Sequence, residues 1–174
     1  MNCKFWLKKK PKKINLGTLL NKHGLGKIKI SLLFINSEIH LGSADADAAW
    51  ELYVEMLTRI VANPLPPEDG DEKTALDSIY SLFPTTRGIL RRHGRNTIEL
   101  SKIVIPVLNQ VVRPFTAKWH KESLSESFQK EDKRKEFRNE LRELQIQLRN
   151  YNHVLAEIAD VEDLTDLEQI NQVT

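Results

Sequence analysis

One cysteine, Cys3, is all the chain has, so no intramolecular disulfide and no thiolate zinc site can form, and a reducing, cytoplasmic setting is expected. No apolar run approaches the roughly 20 residues that a membrane-crossing helix requires. The first lysines are not followed by an uninterrupted apolar stretch or a small-residue cleavage site, so no secretory signal is predicted. Phosphate-binding GxxxxGK[ST], dinucleotide-binding GxGxxG and nucleophile-elbow GxSxG patterns are all missing. The histidines at 23, 40, 93, 120 and 153 show no HxH, HxxxH or HExxH spacing. The sequence therefore points to no metal, no cofactor and no catalytic residue. Trp119, His120, Lys121 and Glu122 are the nearest approach to an acid–base cluster, but neighbours in a helix point apart. A surface histidine beside a core tryptophan is the expected arrangement there.

Acid is also missing from the first 29 residues, which hold nine lysines and neither Asp nor Glu. The whole chain carries only +2, so the remainder is net acidic, and the last stretch, 157–174, has six acids and no Lys or Arg. A basic head and an acidic tail imply that the two ends meet different things, or each other.

What the chain does have is enough material for one domain: 174 residues, 40% hydrophobic and 29% charged. Residues 1–13 read as a basic tail. Between 14 and 41, Lys27-Ile28-Lys29-Ile30-Ser31-Leu32 alternates polar and apolar, the period of a half-buried strand. With Lys22-His23-Gly24 as a turn, this predicts a β-hairpin over about 16–35. Residues 42–160 are patterned for helices. Ser43 is a fitting N-cap, Asp45 and Asp47 suit the positive end of the helix dipole, and Trp50, Tyr53, Val54, Leu57, Ile60 and Val61 form an apolar stripe. Three prolines and a glycine within 64–70 end that helix. A second helix carries Leu76, Ile79, Tyr80 and Phe83, with Pro84 as a kink or a new start, and runs to about Gly94. Asn96 and Glu99 resemble a capping box opening a third helix. Its inward residues are Leu100, Val104, Val107, Leu108, Val111 and Phe115, and Pro106 and Pro114 should bend it. The β-branched run at 103–105 leaves a strand there as the alternative. In the fourth helix Phe137, Leu141, Leu144, Leu148, Tyr151, Leu155 and Ile158 repeat at spacings of 4 and 3, a heptad seam that serves a bundle wall or a coiled coil. Residues 161–174 read as an acidic tail. The fold expected is mainly α: an antiparallel four-helix bundle with a small N-terminal β-hairpin.

Three surface features are candidates for function. The first is KFWLKKKPKK, where Phe5 and Trp6 adjoin Lys8, Lys9, Lys10, Lys12 and Lys13. Each lysine near anionic lipid contributes about 1 kcal/mol, and the aromatic residues can wedge into the headgroups. The same residues could neutralise nucleic-acid phosphates and stack on bases, or KKKPKK could act as a nuclear import signal. The second is Arg87, Arg91, Arg92 and Arg95, suited to an anion or a partner's carboxylates, or to capping a helix dipole with help from the acidic tail. The third is Ile146, Arg149 and Val154, lying off the fourth-helix seam and free for a homodimer or a partner helix. Asn109 and Gln110 read as an interhelical hydrogen-bonding pair. Together these predict a non-enzymatic adaptor or accessory subunit that docks to a larger protein partner or lies peripherally on an anionic membrane. The alternative is a nucleic-acid-binding accessory protein using the lysine-rich head and the arginine cluster.

Overall fold

A computed structural model describes residues 11–29, 38–59, 65 and 70–166. Phe5, Trp6, Lys8, Lys9, Lys10, Ile60 and Val61 lie outside them. The chain is mainly α, with one small antiparallel sheet contributed by its N-terminal region. Its elements are β1 (Lys12–Asn15), α1 (Leu16–Lys22), β2 (Glu38–Leu41), α2 (Ser43–Leu57), α3 (Glu72–Tyr80), α4 (Leu82–His93), α5 (Ile98–Val107), a π turn (Leu108–Val112), α6 (Arg113–Ser123) and α7 (Glu131–Ala159).

These helices form four antiparallel columns. The first is α2. The second is α3 with α4, nearly continuous through Ser81, and Pro84 sits in the first turn of α4, where its missing N–H is harmless. The third is α5, the π turn and α6, and the fourth is α7. Column one runs against column two, with Glu51 beside His93 and Arg59 beside Ser81. Column three runs against column four, with Trp119 beside Glu140 and Glu122 beside Lys133.

The predicted hairpin is present as two strands, but its boundaries and turn differ. Lys12 pairs with Leu41 and Asn15 with Glu38, so Lys12 and Lys13 belong to a strand rather than to the tail. Residues 16–22 are helical. Leu16, Leu19 and Leu20 fall at i, i+3 and i+4, and all three are buried, a helical period that the alternation further on had overshadowed. Asn15 caps this helix, its side chain accepting the Thr18 N–H at 2.9 Å. Gly24 does supply a positive φ, of 70°, but as a helix terminator. The Leu25 N–H bonds to the Leu20 carbonyl at 2.8 Å and the Gly24 N–H to the Asn21 carbonyl at 3.2 Å, the pairing of a Schellman motif. Of the alternating stretch, residues 27–29 form a bend and the rest lies outside the described residues.

Column one buries a different stripe from the one predicted. Asp45, Ala48, Ala49, Leu52, Tyr53 and Met56 face inward, while Trp50 is 47% exposed and Val54 also lies at the surface. Two small alanines, both fully buried, take the inward face that the bulk of Trp50 suggested for itself. Column three is helical throughout, so no strand forms at 103–105. It buries Leu100, Ile103, Val104 and Val107, then Val112, Phe115, Thr116 and Trp119. The step from 107 to 112 is five residues because the Arg113 N–H bonds to the Leu108 carbonyl, one residue further back than in an α-helix. The buried face thus skips forward by one, and the expected inward residues Leu108 and Val111 are only half-buried. Prolines 106 and 114, which donate no N–H, flank this wide turn. In column four all seven seam residues are buried.

Among the described residues, three buried polar atoms lack a hydrogen-bond partner: His120 Nε2, the Tyr151 hydroxyl and Asn152 Oδ1. Burial pushes the Tyr151 pKa up. The ring abuts a cavity of about 10 Å³ shared with Leu52, Met56 and Val112. Tyr151→Phe removes an unmet donor, so it is expected to stabilise the fold by about 1 kcal/mol and to raise Tm by about 2–4 °C. A thermal melt showing a lower Tm would mean that the hydroxyl is satisfied in solution.

Candidate functional site

The head and tail meet each other. The Lys12 ammonium donates to the Glu157 backbone carbonyl at 2.9 Å, and the Glu157 carboxylate takes Lys22 at 2.7 Å and His23 Nε2 at 2.8 Å. Burial alone would raise the Glu157 carboxyl, but Lys22 and His23 offset it and hold the pKa below the usual range. The His23 ring stacks on His153 with centroids 6.0 Å apart, and His153 Nδ1 lies 2.6 Å from Asp163. Tyr53 accepts the Leu164 N–H at 2.5 Å, and Asn152 donates to the Thr165 hydroxyl at 3.1 Å. The chain beyond α7 is therefore fastened along columns one and four, as far as Thr165. Of the acidic tail's described carboxylates, Glu157, Asp163 and Asp166 are engaged here with Lys22, His23 and His153 rather than with the arginine cluster.

Those arginines cluster at the end of column two. Glu51 of α2 pairs with Arg92 and, at 2.8 Å, with His93. Its carboxyl is held below the usual range chiefly by the His93 hydrogen bond. Arg92 is largely exposed, so this pair contributes little to stability. Arg91 and Arg95 are exposed, and no described residue neutralises them. At the same end of the bundle α2 begins, α5 begins and α7 finishes. A single carboxylate fixes that junction: Asp45 accepts the Gly42 N–H with Oδ2 and the Leu100 N–H with Oδ1, both at 2.9 Å. It thereby caps two helices at once. The capping box expected from Asn96 and Glu99 does not form; Thr97 precedes α5 without a side-chain cap, and Glu99 pairs with Lys102 at 2.7 Å. Lys12, paired with Leu41 just before α2, lies at this end too. Lysines 12 and 13 and arginines 91, 92 and 95, from opposite halves of the sequence, thus lie at the same end of the bundle.

Arg87 belongs elsewhere. It lines a groove of about 500 Å³ between columns two and three, with Tyr80 and Phe83 on one wall and Ile105, Arg113 and His120 on the other. Arg113 lies over the Phe83 ring, 5.0 Å from its centroid, and its guanidinium donates twice to Asn109, at 3.0 and 2.9 Å. Arg87 donates to the Phe83 carbonyl at 3.3 Å. The His120 ring meets Tyr80 edge-on at 4.9 Å, and its buried Nε2 has no hydrogen-bond partner. Among the described residues, no Asp or Glu lines this groove. Sequence reasoning missed Arg113 as a site residue. Its i, i+4 relation to Asn109 was visible, but the groove needs two columns to form.

Two other expectations are corrected. Gln110 does not pair between helices: it exchanges two hydrogen bonds with the Lys29 backbone, at 2.8 and 2.7 Å, tying the N-terminal segment to the π turn. Val154 is 0% exposed and belongs to the core, so it cannot contribute to a self-association surface. It shares its flank of α7 with Asn150, His153 and Glu157, and the α1 turn covers that flank through His23 and Gly24. Ile146 stays 51% exposed and Arg149 half-buried.

Among the described residues, no group of three or more His, Cys, Asp or Glu side chains is arranged to hold a metal, and no helix is long and apolar enough to cross a membrane. No protein-family model, curated protein or solved structure matches the chain.

Proposed function

We propose that this chain is a non-enzymatic adaptor or accessory subunit that docks a larger partner against an anionic surface, with an anionic membrane as the favoured surface. The observation that carries this reading is the placement of Lys12, Lys13, Arg91 and Arg95 at the same end of the bundle, where β1 also fixes the point at which residues 1–10 join the body. The aromatic-plus-lysine composition of residues 4–10 supplies what such an end needs: positive charge for phosphates and apolar side chains for the headgroup region. Charge at one end favours a surface that is approached end-on. A long polyanion would be repelled by the net acidic charge of the chain beyond residue 29.

Removing residues 1–13 outright would break the sheet, because β1 starts at Lys12. Triple replacement of Lys8, Lys9 and Lys10 by Ala is the cleaner test. At about 1 kcal/mol per lysine, affinity for phosphatidylserine-containing vesicles in flotation is expected to fall on the order of a hundredfold. Arg91→Ala with Arg95→Ala is expected to weaken it further. A gel shift with DNA or RNA that is lost in the triple variant, beside vesicle binding that never occurs, selects the nucleic-acid alternative. Absence of binding in both assays overturns the anionic-surface reading.

A further inference from the structure

We propose that the groove between columns two and three seats an acidic amphipathic helix of a partner protein. Charge carries the argument first. Arg87 and Arg113 both line the groove, and neither meets a carboxylate among the described residues. Arg87 is spent on a backbone carbonyl and Arg113 on a neutral amide. Elsewhere Arg59, Arg92 and Arg138 each find a carboxylate, while Arg134 and Arg142, like Arg87 and Arg113, meet carbonyl or amide oxygens. What sets Arg87 and Arg113 apart is that they line one groove together with the exposed Tyr80 and Ile105. Guanidinium groups left with neutral partners can still take bidentate carboxylates.

Shape and apolar surface narrow the occupant. Tyr80 is 49% and Ile105 48% exposed, one on each wall. The walls are two antiparallel helical columns, whose ridges leave a lengthwise channel of the kind a third helix fills. Column three lines the groove from Ile105 to His120, about 20 Å along a helix axis. That span suits an apolar i, i+3, i+7 face laid on Tyr80, Phe83 and Ile105, with carboxylates at its edges reaching Arg87 and Arg113. The chain's own acidic tail is an unsuitable occupant, since Asp163 and Thr165 are held on columns one and four, across the bundle. The helix therefore comes from another protein.

This inference does not depend on the basic end of the bundle, and its test keeps the two apart. A phage-displayed library of random peptides is panned on the full chain, and the enriched peptides are synthesised and titrated by fluorescence anisotropy. The expected winners are acidic, with apolar residues at helical spacing, and they become helical on binding. Arg113→Ala is expected to weaken them about ten- to a hundredfold, with Arg113→Lys intermediate because it keeps charge and loses the fork. Ile105→Glu, a surface change on the opposite wall from Arg87, is expected to do the same while leaving the melting curve in place. The Lys8, Lys9 and Lys10 triple variant should bind the peptides as wild type does. Enriched peptides without acidic bias, equal binding by Arg113→Ala, or no enrichment over bare resin would each overturn the proposal. So would phosphatidylserine vesicles whose binding requires Arg87 and Arg113, which would make the groove a lipid site.

Discussion

Asp45→Ala is expected to destabilise the fold by about 2–4 kcal/mol, although Asp45 is one small residue near the start of a helix. Its two oxygens accept the Gly42 and Leu100 backbone N–H groups. Alanine leaves both without an acceptor, the Leu100 group in a buried setting. The loss is large against a total stability of about 5–15 kcal/mol. Urea denaturation should show a lower midpoint with an unchanged slope, and a loss below about 1 kcal/mol would mean that water replaces the carboxylate. Asp45→Asn adds a test of ionisation. Burial, opposed by the two backbone hydrogen bonds, leaves the Asp45 pKa raised above its ordinary value. A carboxyl that holds its proton more tightly when folded loses stability as pH rises between the unfolded and folded pKa. Wild type should therefore fall relative to Asp45→Asn across the window just above the ordinary Asp range, and the difference should stay flat on either side.

Trp119→Ala is expected to cost about 3–5 kcal/mol and to lower Tm by about 10 °C. The Trp119 ring is fully buried and is surrounded by Phe115, Phe128 and Phe137, with centroids 5.1–6.5 Å away. Alanine leaves a cavity at the join of columns three and four, where rings from α6, α7 and the loop between them meet. The indole N–H also donates to Glu140 at 3.0 Å, and the same carboxylate takes Lys118 at 2.5 Å. Trp119→Phe keeps most of the packing and loses that bond, so its expected cost is about 1–2 kcal/mol. Calorimetry on both variants separates volume from hydrogen bonding. Equal losses would assign the effect to the Glu140 contact.

The features legible in the sequence were those that repeat along one element. The seam of α7 could be read residue by residue because a heptad repeat keeps one face buried wherever the helix packs. The terminator at Gly94 followed from chemistry that any context respects, since glycine tolerates a positive φ. By contrast, α2 ends at Leu57, before the prolines expected to stop it, which lie outside the described residues. Column three resisted the same treatment. Its pattern was read with one period throughout, and a π turn inserts a residue that no count of spacing reveals.

Tertiary structure decided the rest because those features compare surfaces from different elements. Trp50 and Val54 lost the inward face of α2 to Ala48 and Ala49, since which face is buried depends on the elements packed against the helix and not on the bulk of its own side chains. Val154 looked free from within α7 and was covered by the turn after α1. Asp45, read as a dipole residue of its own helix, also became the cap of a helix that begins more than fifty residues later. Arg87, counted with its sequence neighbours, turned out to face Arg113 across a groove. The sequence by itself determined that the chain is mainly α, the stop at Gly94 and the buried seam of α7, because local backbone chemistry and period suffice for those. Which faces meet, and which charges are left without a partner, depended on the packing of four columns, because burial and neutralisation are properties of pairs of surfaces.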